Sequence, residues 1–202
     1  MARYRIPKGQ ARVEIRVSNS RFIATVAPAF STKEAQDFIR GVREEMPDAT
    51  HHVYAYKIGY GPSVSEGLSD AGEPSGTAGP PALAVLRGAD VGDVVLVISR
   101  YFGGTKLGTG GLVTAYTHAA KAAFQALETE EKVRRIRLAL TIPYGLLERV
   151  RLLFPEYECV VEGEDFGAEV GLTLQIPEER LAEFSRRIRD LSAGKIHLQP
   201  LA

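Results

Sequence analysis

The residues best suited to chemistry lie in a glycine-rich segment, RYFGGTKLGTGGLVTAY, that runs from Arg100 to Tyr116. It places five glycines, one arginine and one lysine between a predicted strand and a predicted helix. Glycine allows positive φ angles and lets a ligand approach the backbone amides closely. Gly110 and Gly111 would lie at the start of the helix, where free N–H groups and the helix dipole attract anions. The segment therefore predicts an anion-binding site.

A second polar segment, SDAGEPSGT, runs from Ser69 to Thr77 and places two acids and several hydroxyls between glycines. This composition is typical of a shaped turn that binds through its backbone amides and hydroxyls. The segment belongs to a longer stretch, residues 59–82, that shows no periodicity and is predicted to be a functional or disordered loop. Pro80 and Pro81 then suit the first turn of a helix.

Two elements must position the glycine-rich segment. The apolar run from Val94 to Ile98 is typical of a strand buried on both faces, and it would deliver Arg100 at its end. The following helix, from Thr109 to about Glu128, repeats small apolar residues that allow close packing on the sheet. The turn between the two elements matches neither GxxxxGKS/T nor GxGxxG, so it predicts no standard nucleotide-binding motif.

The N-terminal part predicts a hairpin over residues 12–28 and an amphipathic helix over about 32–46, with Ser31 or Thr32 as its N-cap. The first 21 residues carry six basic side chains and one acid. Two interpretations stay open for this basic arm. It forms either the solvated edge of the sheet or an arm that follows phosphates.

A strand, HHVYAYKIG, carries His51 and His52 next to each other. Adjacent strand residues point to opposite faces, so the two imidazoles cannot readily bind one metal ion. One histidine is expected to face a cleft and the other to pack. The pattern predicts no metal site, and no cofactor is expected.

The composition narrows the classes of partner. The 25 Lys and Arg residues balance the 25 Asp and Glu residues, so a nucleic-acid partner would need a local patch, such as one built from Arg100, Lys106 and Arg21. The sequence contains no long apolar run and no apolar signal-peptide core. We therefore expect neither export nor membrane insertion. The single cysteine, Cys159, lies in an apolar setting and is expected to be a buried structural thiol in a reduced cytoplasm.

Three blocks, HHVYAYKIG, SDAGEPSGTAGPP and RYFGGTKLGTGGLVTAY, occur in this order, and together they resemble the signature of the IMPACT family in its bacterial YigZ-like form. The resemblance is strong over residues 18–127. It has two departures: Ala71 stands where the family usually has Asp, and Thr114 stands where the family commonly has Arg.

The resemblance implies an α+β fold with two domains. Residues 1–128 would form an α/β sandwich resembling the fourth domain of elongation factor G and the GHMP kinases, and residues 132–202 a ferredoxin-like domain resembling the fifth domain of elongation factor G. The residues themselves support the second part, because their pattern predicts the order β-α-β-β-α-β. A charged linker is expected over Glu128–Glu131.

The resemblance also implies a non-enzymatic cytoplasmic protein linked to regulation of translation, since eukaryotic relatives regulate translation initiation. Its glycine-rich two-loop surface would bind RNA or a ribosome-associated protein. The expected binding residues are Asp70, Glu73, Ser75, Thr77, Arg100, Tyr101, Gly103, Gly104, Lys106, Gly108, Gly110 and Gly111. The aromatic residues near them are most simply interpreted as sheet or core residues, namely Tyr54, Tyr56, Tyr101 and Phe102.

Two other hypotheses remain open. In the first, the same cleft binds a small phosphorylated or carboxylated ligand, as an enzyme or a small-ligand protein. Arg100 and Lys106 would then clamp the anion, and Asp70, Glu73 or His51 would serve as acid or base. In the second, the glycines only allow tight packing and the polar loop residues bond internally. No membrane partner is expected, and the oligomeric state is left open.

Overall fold

The structure is a computed structural model that describes residues 3–62 and 64–201. The predicted domain limits at Met1 and Ala202, and Ser63 of the predicted loop, lie outside the described residues. The described chain divides into two compact units, residues 3–132 and residues 133–201. Each unit combines a β-sheet with helices, which confirms the predicted two-domain α+β fold.

The first unit contains the elements β1 (Arg3–Pro7), β2 (Ala11–Val17), β3 (Ser20–Pro28), α1 (Thr32–Glu45), β4 (His51–Ile58), β5 (Ser65–Ser69), α2 (Gly79–Gly88), β6 (Val94–Tyr101), α3 (Gly108–Gln125) and β7 (Thr129–Val133). Five of these strands form an antiparallel sheet in the order β2-β3-β6-β4-β5. The central strand is β6, and its residues from Val94 to Arg100 are all buried. This confirms the prediction of a strand buried on both faces.

Two hydrophobic cores cover the two faces of this sheet. On one face, α2 and α3 pack over Phe22, Leu96 and Ile98. On the other face, α1 packs over Val95 and Val97. Because successive strand residues point to opposite faces, β6 supplies both cores by simple alternation. The predicted α/β sandwich is therefore a sheet enclosed between helical layers.

The N-terminal predictions are confirmed in detail. The turn between β2 and β3 contains Ser18 and Asn19 with positive φ angles of 44° and 69°. Two consecutive residues with positive φ angles form the tight turn that joins the strands of a hairpin with a two-residue loop. Ser31 is the N-cap of α1, and its Oγ accepts a hydrogen bond from the Glu34 backbone N–H at 3.1 Å. Pro80 and Pro81 lie in the first turn of α2, as predicted.

Two predictions for connecting segments are wrong. Residues 59–82 are not a continuous loop, because they contain β5, which pairs with the outer edge of β4. The charged segment expected as a linker instead forms β7, which pairs with β1. Both strands are short and polar, and edge pairing through the backbone does not require the alternation of apolar side chains that identifies a half-buried strand.

The second unit contains β8 (Arg135–Ile142), α4 (Tyr144–Arg151), β9 (Val160–Phe166), β10 (Val170–Pro177), α5 (Leu181–Ser192) and β11 (Leu198–Leu201). The strands pair antiparallel in the order β11-β8-β10-β9. This is the predicted β-α-β-β-α-β arrangement. Cys159 packs against the core of this unit, and burial raises the pKa of its thiol to about 11. It is therefore a poor nucleophile at neutral pH.

Candidate functional site

The two polar segments meet at a buried ion pair. Arg100 lies near the end of β6, and its Nη1 donates to Glu73 Oε1 at 2.6 Å. The side chains are only 6% and 3% exposed, respectively. Tyr116, on the buried face of α3, donates its hydroxyl proton to the same Glu73 oxygen at 2.7 Å. The ion pair therefore joins the segment after β5, the end of β6 and α3.

Burial and this hydrogen bond also set the properties of Tyr116. The pKa of the Tyr116 phenol is raised, mainly by burial and to a smaller extent by the adjacent Glu73 carboxylate. The phenol therefore stays protonated and acts only as a donor to Glu73. The spacing of Tyr116 from Leu112 already placed both residues on the buried face of the helix, but sequence alone did not identify the partner.

Further contacts fix the Arg100 guanidinium. Nη2 donates to Ser20 Oγ at 3.3 Å, and the Gly103 N–H donates to the same oxygen at 3.2 Å. The guanidinium carbon lies 5.4 Å from the Phe22 ring centre and 5.5 Å from that of Phe102. The third nitrogen, Nε, is buried and has no hydrogen-bond partner among the described residues.

His51 borders the ion pair. Its Nδ1 lies 2.9 Å from the Ala71 carbonyl oxygen, which can only accept, so Nδ1 carries a proton. Its Nε2 faces Glu73 Oε2 at 3.9 Å. His52 lies on the opposite side of β4, where Nδ1 is 2.9 Å from Ser99 Oγ. The two histidines therefore lie as expected, with His51 beside the ion pair and His52 packed on the other face of the strand.

Asp70 holds its own loop. One carboxylate oxygen accepts from the Ala78 and Gly79 N–H groups at 3.0 and 2.8 Å, and the other accepts from Gly76 at 2.9 Å. Burial opposes ionisation, but the three N–H groups outweigh it and hold the pKa of Asp70 below its usual value. These donors include the first N–H groups of α2, whose N-cap, Ala78, supplies no capping side chain. Asp70 therefore caps α2 from a distance.

The hydroxyls of this loop have separate roles. Thr77 is buried and its Oγ1 donates to the Pro74 carbonyl at 2.6 Å. Ser75 is exposed. Ala71, where the family usually has Asp, has a positive φ of 49°. Asp tolerates this conformation better than Ala, which gives the family residue a backbone role. Thr114 is exposed and bonds back to the Gly110 carbonyl.

The glycines that are predicted to bind a ligand have different structural roles. Gly103 lies against the β2–β3 turn, because an added Cβ would overlap the Asn19 carbonyl. Gly104 and Gly108 have positive φ angles of 84° and 70°. Gly110 and Gly111 lie in the first turn of α3. The N-cap of this helix, Leu107, offers no side-chain acceptor, so the first N–H groups of α3 are not capped by a side chain.

A cavity of ≈ 260 Å³ opens beside these N–H groups. It is lined by Glu73, Pro74, Arg100, Phe102, Lys106, Leu107, Gly108, Thr109 and Leu112. Lys106 is exposed at this cavity. Phe102 is 47% exposed, so its prediction as a sheet or core residue is wrong. The ring covers the Arg100 guanidinium on one side and lines the cavity.

Tyr101 does not line this cavity. Its hydroxyl donates to Asp48 Oδ1 at 3.0 Å, and the Arg21 guanidinium lies 4.9 Å from its ring centre. Burial and the Asp48 carboxylate raise the pKa of the phenol. Alternation along β6 explains the separation, because Tyr101 points to the face opposite Arg100.

The basic arm at the N-terminus is largely neutralised by acids of the first unit. The pairs are Arg3–Glu131, Lys8–Glu128, Arg12–Glu45, Arg16–Glu14 and Arg21–Glu14. The contacts support the solvated sheet edge over the phosphate-following arm. The expected patch of Arg100, Lys106 and Arg21 is wrong in composition, because Arg21 bonds to Glu14 at 3.0 Å and Arg100 to Glu73. Of the three, Lys106 faces the cavity with its charge available.

The described residues contain neither a cluster of metal-ligating side chains nor a helix that could span a membrane. Among residues 3–62 and 64–201, no three His, Cys, Asp or Glu side chains form a group that could hold a metal ion. In the same part of the chain, no helix is both long enough and apolar enough to cross a membrane.

Comparison with known proteins places the fold in a family. The Impact N-terminal domain matches residues 18–124, and a domain of unknown function (DUF1949) matches residues 140–195. The chain belongs to the IMPACT family. The IMPACT family member YigZ of Escherichia coli is 38% identical over 200 residues, which are 98% of each chain. An IMPACT family member of Haemophilus influenzae is 37% identical over 202 residues, 100% of this chain and 98% of that protein.

A solved structure supports the whole fold. A crystal structure described as that of a hypothetical protein covers 100% of this chain and 98% of its own, with a TM-score of 0.71 and 36% sequence identity. The sequence-based assignment to the IMPACT family in its YigZ-like form is thus confirmed.

Proposed function

We propose that this IMPACT family protein is a non-enzymatic cytoplasmic protein linked to regulation of translation, and that it binds RNA at the cavity beside Lys106. The translational role follows from the resemblance to the family. The geometry of the cavity supports the choice of site.

The observation that carries the proposal is the internal use of most motif side chains. Glu73 and Arg100 neutralise each other at 2.6 Å, and Asp70 is occupied by three backbone N–H groups. Their contacts hold two loops together. At the cavity, the groups left facing outward are the Lys106 ammonium and the uncapped N–H groups of α3. Such a pair of features binds phosphate oxygens.

The chemistry of the described residues favours binding over catalysis. General acid–base catalysis needs a group with a free proton or lone pair within reach of the ligand. Asp70 accepts three hydrogen bonds, and Glu73 Oε1 accepts two. Asp70 and Glu73 Oε1 are therefore committed to holding the loops, and Glu73 Oε2 lies against His51 Nε2 at 3.9 Å. The aligned amides and Lys106 can bind an anion without such a group.

Binding of a single-stranded RNA tests the proposal. We expect anisotropy titrations with an internally labelled RNA to show affinity that falls with salt, because each neutralised phosphate contributes a slope of about −0.7 in log K against log salt. Lys106→Ala should weaken binding. Lys121→Ala, which removes an exposed lysine elsewhere on α3, should not. Salt-insensitive binding, or equal binding by both variants, would contradict the proposal.

A small phosphorylated or carboxylated ligand in the same cavity is the second candidate. It is favoured by the small volume of ≈ 260 Å³ and by the presence of His51 next to Glu73, which lines the cavity. A thermal-shift screen of nucleotides and metabolites tests it, because a ligand at 100 times its Kd stabilises by about 2.7 kcal/mol. A positive metabolite with no RNA binding would replace the first candidate. A flat screen would remove the second.

A further inference from the structure

The size of the cavity limits what part of an RNA it can hold. Its volume of ≈ 260 Å³ is below the range of ~300–1,000 Å³ that is typical of pockets for drug-sized ligands. Proteins that follow a single strand instead use an open, positively charged groove. A cavity of this small volume suits the end of a strand better than its middle.

The charges lead to the same conclusion. The basic residues that line the cavity are Arg100 and Lys106, and the charge of Arg100 is neutralised by Glu73. Lys106 thus supplies the uncompensated positive charge of the cavity, and Gly108 and Thr109 at the start of α3 line the same cavity. A phosphate monoester carries a charge of about −1.5 to −2 and three acceptor oxygens. A phosphate monoester therefore offers such a site more charge and more acceptor oxygens than a singly charged phosphodiester does.

A buried donor gives independent support for a ligand. Arg100 is 5% exposed and lines the cavity, and its Nε has no hydrogen-bond partner among the described residues. Buried polar groups in native proteins nearly always have a partner. A ligand oxygen would supply one if the groups that cover Nε moved aside on binding, because the atom itself has almost no exposed surface.

Phe102 supplies a surface for a base. One face of its ring is turned toward the Arg100 guanidinium at 5.5 Å, which orients the ring, yet the residue is 47% exposed. An exposed aromatic ring beside a phosphate-binding point is the arrangement by which proteins stack nucleic-acid bases. Leu107 and Leu112 give the rest of the cavity an apolar lining.

We infer that the cavity binds the phosphorylated end of an RNA strand, with the terminal phosphate monoester at Lys106 and the start of α3 and the terminal base on Phe102. This inference rests on the proposed RNA binding and adds the part of the RNA that is recognised. The same chemistry is offered by a 5′-phosphate and by a 3′-phosphate.

Calorimetric titration of the full chain distinguishes a 5′-phosphate from a 3′-phosphate. The ligands are one RNA sequence with a 5′-phosphate, with a 3′-phosphate or with hydroxyls at both ends, together with adenosine monophosphate and inorganic phosphate. We expect at least one phosphorylated RNA to bind about tenfold tighter than the hydroxyl form. Lys106→Ala should abolish that difference, and Lys121→Ala should preserve it.

A second pair of variants tests the base. Phe102→Leu keeps an apolar side chain but removes the aromatic face, so it should weaken adenosine monophosphate and phosphorylated RNA about tenfold. It should leave inorganic phosphate unchanged. Phe166→Leu changes an exposed phenylalanine of the second unit and should have no effect. Circular dichroism of each variant establishes that it is folded.

The outcomes distinguish this inference from the proposed function. Equal, salt-dependent binding of all three RNAs would overturn recognition of the end and leave RNA binding intact. Absence of binding by every RNA would overturn both. Binding of adenosine monophosphate alone would overturn both in favour of a small ligand.

Discussion

The Arg100–Glu73 pair is an internal structural element of the first unit, although its residue types suggest a ligand clamp. Both side chains are almost fully buried, and Tyr116 and Ser20 complete their hydrogen bonds. Removing one member of a buried ion pair leaves the other charge without compensation in a low-dielectric environment. Stability, more than affinity, should therefore respond to changes at these two residues.

Arg100→Met should lower the free energy of unfolding by about 3–5 kcal/mol, because Glu73 then remains buried without its cation. The double variant Arg100→Met/Glu73→Gln should recover part of this loss, since the amide is neutral and can still accept from Tyr116. Urea denaturation followed by circular dichroism measures both. A single variant within ~1 kcal/mol of wild type, or a double variant no better than the single, would contradict this account.

Among the connecting elements, α2 depends on a carboxylate outside the helix. Asp70 accepts from N–H groups six, eight and nine positions further along the chain, which sequence alone did not reveal. Asp70→Asn should weaken these bonds and cost about 1 kcal/mol at neutral pH, as for the loss of a helix cap.

The pH dependence of this effect has a definite sign. The folded pKa of Asp70 is lowered, so its stabilising contribution is complete above the unfolded pKa of ~3.9 and is lost as pH falls through the lower folded pKa. The stability difference between wild type and Asp70→Asn should thus be constant from neutral pH to about pH 5 and shrink below about pH 4. A difference that grows on acidification would refute the role assigned to Asp70.

The glycines between β6 and α3 are not equivalent. Gly103→Ala should be strongly destabilising, because its Cβ would overlap the Asn19 backbone. Gly110→Ala meets nothing within 4 Å and replaces the poorer helix former, so it should be neutral or stabilise by up to ~1 kcal/mol. Thermal unfolding of the two variants compares them directly. Equal effects would show that the turn does not pack as described.

Features that depend on local interactions could be predicted from the sequence, and features that depend on contacts between distant residues could not. Periodicity identified β6 and α3, and capping residues identified α1, because those signals are local. The strands β5 and β7 were missed because they are short, polar and paired at edges. The sequence also could not show that Glu73 binds Arg100, 27 positions away, or that Arg21 is neutralised by Glu14. Residue types predicted an anion site, and the internal contacts of Glu73, Arg100 and Asp70 are why we propose that it consists of Lys106 and the start of α3.

The molecule as a whole has separate cores in its two units and no excess of charge. The first unit has a core on each face of its sheet, the second unit has its own core, and the chain carries equal numbers of basic and acidic residues. Binding to a polyanion therefore cannot depend on overall attraction and must depend on a local site. We propose that this site lies in the first unit, at Lys106 and the start of α3.

The most direct test of this claim is the mapping of amide chemical shifts of the full chain during titration with single-stranded RNA. The account predicts that the largest changes occur at Gly108, Thr109 and Gly110, whose N–H groups begin α3. The changes should disappear in Lys106→Ala and persist in Lys121→Ala. Changes confined to the second unit, or unaffected by Lys106→Ala, would contradict the claim.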